Sequence, residues 1–327
     1  MKRWGIVTLA VFLMLYLSGL GRQVQGAEEY PVKPIVFILG VEAGSDGDVL
    51  SRPFAHRVST LLGQPIVVVN KPGAGSSLAY REVQSAKPDG HTIGWASATI
   101  IINKLQGVSP YDYHDFTILG TYYTAIPIIV ASTKTKRPFK TIEEVISFAK
   151  AHPGDVSIAT SGVGMSWWVA TMAFQEGTGA QFNIIPQLGA GAFAIAQVAG
   201  GHTDLAVLGL AAAKPHIDAG NVRFLAVFGS KRVSGYDHVP CFKDVGYDIS
   251  WESPNLTMGP PKMPKHVTDV LVKAVEKAAN EPEYKKFLME RYTIPNYLPP
   301  DKALSFLDGQ RIVVRRIMEK AGILKEK

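Results

Sequence analysis

Cysteine is almost missing from this sequence: Cys241 is the only one in 327 residues. That excludes an intrachain disulfide and any zinc or iron–sulfur site built on cysteines. No cysteine lies near the end of the N-terminal apolar stretch, which excludes a lipid anchor of the bacterial type. The eight histidines are scattered, with no His-Glu-x-x-His helix and no close metal-ligand pair. The dipeptide Gly-Lys never occurs, so there is no P-loop, and no Gly-x-Ser-x-Gly elbow is present. A large excess of one charge is also lacking. The net charge of +6 falls to +3 (31 basic against 28 acidic residues) once Lys2, Arg3 and Arg22 of the N-terminal segment are set aside. That is too mild for a nucleic-acid binder, and no basic-aromatic stripe appears. Beyond the N-terminus no segment reaches the ~18 uninterrupted apolar residues of a membrane helix, so the rest of the chain is expected to be soluble.

What is present begins with a leader. Lys2-Arg3 form a positive n-region, Ile6 to Leu17 an apolar stretch, and Val24-Gln25-Gly26 a slim-residue approach to a cleavage site before Ala27. Residues 1–26 are expected to be removed and the mature protein to be periplasmic. The apolar fraction of 46% with 19% charged residues fits a folded globular protein.

Short β-branched runs then alternate with helical patterns. Strands are expected at Ile35–Leu39, Ile66–Val69 and Thr92–Ala96, with Leu50, Phe54, Val58, Leu61 and Leu62 on one face of a helix from Asp48 to Leu62 and a short helix at Ser77–Ser85. A second series runs through strands near Ile126–Ala131, Val156–Ala159, Asn183–Pro186, Leu205–Leu208 and Phe224–Phe228. Its helices are expected at Thr141–Ala151, from Ser166, at Gly191–Gly200 and near Ala212–Ala219; Thr141 and Glu144 read as a capping box. The stretch Pro240 to Pro264 reads as irregular, and helices close the chain at Lys265–Asn280, Glu283–Glu290 and Asp301–Ala321. This is the pattern of βαβ units. It predicts an α/β protein of two lobes, 27–126 plus 252–327 and 127–251, with mixed or parallel sheets flanked by helices and a ligand cleft between the lobes.

Ligands meet such sheets at the loops after the strands' carboxyl ends. Here those loops are rich in glycine and serine. Ala43, Gly44, Ser45, Asp46 and Asp48 follow the first strand, and Ser97 and Thr99 the third. In the second series Ser161, Gly162, Gly164, Met165 and Ser166 follow one strand and Gln187 another, while Asp204 precedes Leu205–Leu208. Glycine lets backbone N–H groups turn toward a guest, and a helix N-terminus favours an anion. The same residues also make tight strand-to-helix turns. Asp48 reads equally as a helix N-cap, Asp46 as a solvated turn residue and Asp204 as a turn brace.

Several of these residues fall in longer motifs: Tyr30-Pro31-Val32-Lys33-Pro34-Ile35, Ala43-Gly44-x-x-x-Asp48-x-x-x-Arg52, Asn70-Lys71-Pro72-Gly73-Ala74-Gly75 running on to Pro88-Asp89-Gly90-His91-Thr92, Ser161-Gly162-x-Gly164, Ile185-Pro186-x-x-Gly189 and Gly200-Gly201-His202-Thr203-Asp204. Together they resemble the extracytoplasmic solute receptors of tripartite tricarboxylate transporters, the Bug family, over nearly the whole mature chain. The resemblance implies a type II-like periplasmic binding protein that closes on a small organic carboxylate and works with membrane permease subunits. It implies no catalysis and no cofactor, and the chain is expected to act as a monomer. The chain departs from the family pattern at Ser45, where a second glycine is usual, and in the additional acids Glu42 and Asp46. It departs again at Gln187 and Leu188, where an aromatic and a basic residue are common, and at Trp167-Trp168, where smaller or polar residues stand. Fewer positive and more negative groups penalise a highly charged guest. The two tryptophans, Trp167 and Trp168, offer flat apolar surface that points to an aromatic or otherwise bulky monocarboxylate, with core packing on the helix that begins there as the alternative for each; Trp168 is counted among the expected binding residues.

The main rival from another class is an exported hydrolase of small esters or amides, for which the sequence offers serine-rich turns and stray histidines but no triad. Gly189 to Ala194 matches a loose dinucleotide fingerprint, but Leu208-Gly209 stands where the acidic ribose ligand belongs. Asp46 and Asp48 alone do not supply a calcium cage.

Overall fold

The computed structural model describes residues 29–187 and 191–326; the leader, Leu188, Gly189 and Ala190 lie outside the described residues. The chain first lays down β1 (Ile35–Leu39), α1 (Asp46–Leu62), β2 (Ile66–Asn70), α2 (Ser77–Ser85), β3 (Thr92–Ala96), α3 (Thr99–Leu105) and β4 (Thr117–Ala125). It continues with β5 (Pro127–Ser132), α4 (Ile142–Ala151), β6 (Ser157–Ser161), α5 (Ser166–Thr178), β7 (Asn183–Gln187), α6 (Gly191–Gly200), β8 (Leu205–Gly209), α7 (Leu210–Asp218) and β9 (Val222–Val227). After a long connection it ends with β10 (Ser253–Gly259), α8 (Lys265–Asn280), α9 (Pro282–Met289) and α10 (Pro300–Lys320).

The strands form two five-stranded sheets, ordered β2-β1-β3-β10-β4 and β7-β6-β8-β5-β9. In each, a parallel trio is followed by one antiparallel strand, β10 or β5, and an outer strand that runs with the trio. Both antiparallel strands arrive from the other sheet. β4 passes into β5 through Ile126 alone, and the 228–252 connection returns the chain to β10. Trp251, at the end of that return, is fully buried and donates its Nε1–H to Ser166 Oγ at 3.0 Å.

The first sheet packs α1 and α8 around Phe37, Phe54, Tyr122 and Tyr284, with Phe54 stacked on Tyr122 at 4.1 Å. The second packs α6 and α7 around Ile128, Val198, Leu208 and Val227. A third cluster joins the lobes, bringing Tyr80 and Ile102 of the first together with Trp168, Phe174 and Phe228 of the second and with Leu307 and Val314 of α10. Behind it, Glu176 of α5 pairs with Arg316 at 3.2 Å and Lys320 at 2.7 Å on α10.

Several elements differ from the sequence expectation. β4, β10 and α3 were not anticipated. β10 contains Pro254, Asn255 and a terminal Gly259, which read as loop, and its pairing with β4 shifts register twice. α1 begins at Asp46, two residues early, so Asp48 is not the N-cap; Ser45 is. At α4, Thr141 Oγ1 does accept from the Glu144 N–H (3.2 Å), but the Glu144 carboxylate accepts from the Lys140 N–H (2.7 Å) instead of closing the box on Thr141.

Asp48 braces the turn that starts α1. Its carboxylate accepts from the N–H of Gly44 (2.9 Å), from Arg52 Nε (3.0 Å) and from Asn70 Nδ2 (2.8 Å), and Arg52 in turn donates to Asn70 Oδ1 (2.7 Å). Gly44 holds a left-handed φ of +80°, which aims its N–H back at Asp48. Burial pushes the Asp48 carboxyl up, but Arg52, the Gly44 N–H and Asn70 together outweigh it and hold the group below its usual range. A carboxylate with a depressed folded-state pKa stabilises the protein above its unfolded value of about 3.9 and loses that contribution as pH falls through the folded value. Asp48→Asn is therefore expected to lower stability by about 1–2 kcal/mol at pH 7, the half-exposed Arg52 keeping the effect modest. The gap between the two proteins should narrow from about pH 4 downward, as urea unfolding at a series of pH values will show.

Candidate functional site

The carboxyl ends of β1, β3, β6 and β8 face one another between the sheets, and the helices that follow start there. A cavity of about 400 Å³ lies at this junction. The first lobe contributes Ser45 and Asp46 at the start of α1, Trp95 of β3, Ser97 and Thr99 at the start of α3, Tyr123 of β4, Asn255 of β10, and the 291–293 turn after α9. The second contributes Ser166 and Trp167 at the start of α5 and Gly209 with Leu210 at the start of α7.

Three of these helices, α1, α5 and α7, begin without a side-chain cap on their N-cap residue. Their first N–H groups have no partner within the helix and carry the positive end of the helix dipole. Ser161 partly serves α5, its Oγ accepting from the Trp168 N–H at 3.0 Å. The walls are largely aromatic and apolar: Trp95, Tyr123, Trp167 and Tyr292 with Val41 and Leu210. Trp95 is fixed by donating Nε1–H to Asn255 Oδ1 at 2.9 Å. Ser97 Oγ and Thr99 Oγ1 hydrogen-bond to each other at 3.0 Å.

Asp46 supplies the acid. A Cβ built on Gly209 would lie 3.9 Å from Asp46 Oδ2, so the carboxyl reaches from one lobe to the N-cap residue of α7 in the other. It is accessible from the cavity, yet enclosure by protein pushes its pKa up. Arg291 also borders the cavity, but its guanidinium sits 3.8 Å over the Phe287 ring and donates to the Phe287 carbonyl.

Of the residues singled out in the sequence, Ser45, Asp46, Ser97, Thr99 and Ser166 line this cavity. The others lie outside its lining. Gly44 and Asp48 belong to the brace under α1, and Ala43 is exposed beside it. Ser161 caps α5 from beneath, and Gly162 and Met165 lie in the turn before that helix, Met165 39% exposed. Gly164, with φ +73°, faces the Gln106 side chain at the end of α3, so it packs lobe on lobe. Trp168 is 6% exposed within the joining core, because one helical step of about 100° turns it away from the face of Trp167. Gln187 ends the edge strand β7. Asp204 sits at the opposite end of its sheet, where it accepts from the Ser157 N–H (3.0 Å), Ser157 Oγ (2.8 Å) and Arg137 (3.4 Å); it is a brace.

The sequence reading missed Trp95, Tyr123, Asn255 and Tyr292. Trp95 was in view as the next-to-last residue of an expected strand; the other three depend on β4, β10 and the turn after α9. A larger depression of about 700 Å³ lies on the outer face of the second lobe, beside Lys140, Arg223 and Arg232. Its arginines are already engaged, Arg232 with Asp244 (2.8 Å) and Arg223 with the Phe139 carbonyl (3.1 Å), so it is the weaker candidate. Among the described residues no group of three or more His, Cys, Asp or Glu side chains is placed to hold a metal, and no helix is long and apolar enough to cross a membrane.

Comparison with known proteins agrees with this geometry. Residues 50–323 match the model of the tripartite tricarboxylate transporter family receptor. Protein BugT of Bordetella pertussis is 27% identical over 307 residues, covering 92% of this chain and 91% of its own. A TctC solute-binding protein from Polaromonas, solved with no ligand, is 27% identical over 89% of this chain and 99% of its own, with a TM-score of 0.77. A Rhodopseudomonas palustris protein solved with adipate shares the fold at a TM-score of 0.79 and 23% identity, over 90% of this chain and 99% of its own. The two-lobed α/β chain belongs to the tripartite tricarboxylate transporter receptor family, and it is a solute-binding protein and not an enzyme.

Proposed function

We propose that this receptor captures a small organic monocarboxylate with a bulky apolar body between its lobes, in the periplasm, and delivers it to the membrane subunits of a tripartite transporter. The observation that carries the reading is the convergence of the uncapped N-termini of α1, α5 and α7 on one aromatic-walled cavity. Backbone N–H groups at helix starts bind a carboxylate without a cationic side chain, and the Thr99 and Ser166 hydroxyls, which accept from Ser97 and Trp251 and keep their own protons, add donors. The adipate held by a protein of the same fold supports carboxylate chemistry. Asp46 stands against a second carboxylate on the guest, because like charges in an enclosed site repel. The lobes are 27–126 plus 252–327 and 127–251, the leader 1–26 is cleaved, and the receptor works as a monomer.

Mass spectrometry of small molecules released from denatured, freshly purified protein tests this directly: a monocarboxylate is expected, and a di- or tricarboxylate would overturn the assignment of charge. Adjacent tryptophans should respond in opposite ways. Trp167→Ala is expected to weaken binding of the released compound at least tenfold with little loss of stability. Trp168→Ala should lower stability by about 3–5 kcal/mol through the void it leaves in the joining core. Calorimetry and urea unfolding on the two variants separate these effects. The chain passes between lobes twice, an arrangement suited to hinge closure, so the ligand should reduce the radius of gyration in small-angle scattering. N-terminal sequencing of protein from the natural host should begin at or within a few residues of Ala27.

A further inference from the structure

The carboxyl of Asp46 has no ion pair and no hydrogen bond among the described residues, although every neighbouring acid with a structural role has several. Asp48, two positions on, accepts from three groups, and Asp204 from Ser157 and Arg137. Asp46 instead opens onto the cavity beside Gly209 and near the Tyr123 hydroxyl, whose own pKa rises through burial first and then through Tyr122, Tyr284 and Asp46. Asp46 is exposed where the lobes meet, and an unpaired carboxylate at that place attracts a cationic group on whatever enters the cavity.

The surrounding surface is suited to that cation. Trp95, Tyr123, Trp167 and Tyr292 line the same cavity, and aromatic faces attract ammonium groups through their quadrupoles, most strongly when water is excluded. The basic side chain bordering the cavity, Arg291, packs over the Phe287 ring and donates to its carbonyl, and no ion pair joins it to Asp46 among the described residues. Positive N–H groups at the start of α7 adjoin Asp46. Anion-binding and cation-binding groups thus lie side by side.

We propose that the guest is an α-amino acid with a large apolar side chain: its ammonium meets Asp46 and the aromatic faces, and its carboxylate the N-termini of α5 and α7. This rests on the reading above that the cavity holds a carboxylate, and specifies what else the guest carries. Asp46 becomes the residue that sets specificity between an amino acid and the plain acid of the same shape.

The test is calorimetry on matched pairs: leucine with 4-methylpentanoate, phenylalanine with 3-phenylpropanoate, and tryptophan with 3-indolepropanoate, each with the wild-type protein, Asp46→Asn and Glu42→Gln. Glu42 is an exposed acid on the same turn and does not line the cavity. In at least one pair the amino acid should bind the wild type tenfold or more tighter than its plain acid. Asp46→Asn should weaken the amino acid at least tenfold and strengthen the plain acid, reversing the preference, while Glu42→Gln should leave the ratio unchanged. Plain acids that bind tighter in every pair, or a ratio indifferent to Asp46→Asn in a variant shown by circular dichroism to be folded, would overturn this proposal and leave the carboxylate reading standing. A protein that binds neither member of any pair would overturn both.

Discussion

Strand direction is the constraint on which the rest of this structure depends. In each sheet four of the five strands run the same way, so their carboxyl ends share one edge, and the helices that follow β1, β3, β6 and β8 begin at that edge. The two sheets present those edges to each other. Helix starts, with their unpaired N–H groups, therefore collect between the lobes without any side chain being chosen to put them there. A site made this way reads an anion through backbone, which leaves the side chains around it free to vary. Here the freedom has gone into aromatic walls and one acid.

The antiparallel strands serve the same end. β5 and β10 each enter a sheet from the other lobe, lie between an inner strand and the outer one, and carry the chain across. Both are buried along their whole length, so each crossing is anchored in a core rather than strung over the surface. Trp251 ties the return crossing to the start of α5 through Ser166, so the chain's route between lobes and the wall of the cavity share one hydrogen bond.

Much of this was legible in the sequence where local pattern and tertiary role coincide. β1, β3, α2, α6 and α8 fall on the residues that periodicity and capping indicate. What failed to show were elements whose identity comes from their partners. β10 carries a proline and an asparagine that read as loop, yet it is fully buried because β3 and β4 pair with both its edges. The site divides similarly. Ser45, Asp46, Ser97, Thr99 and Ser166 are the residues at helix starts, found by counting from strand ends. Trp168 and Trp167 differ by one step of a helix whose orientation no spacing revealed. Gly44, Asp48 and Arg52 of one family motif and Asn70 of another come together as the scaffold of a turn. A pattern that stands out in a sequence can mark what holds a site in place as readily as what touches the guest.

The pairing of Glu176 with Arg316 and Lys320 gives α5 two attachments of different kinds. Its first turn walls the cavity, while its last turns are clasped to α10 of the opposite lobe by charges that lie partly in water. Arg316 and Lys320 are largely exposed, so dissolved ions weaken this outer attachment but barely reach the enclosed end, and the two ends of one helix answer to different features of the surroundings.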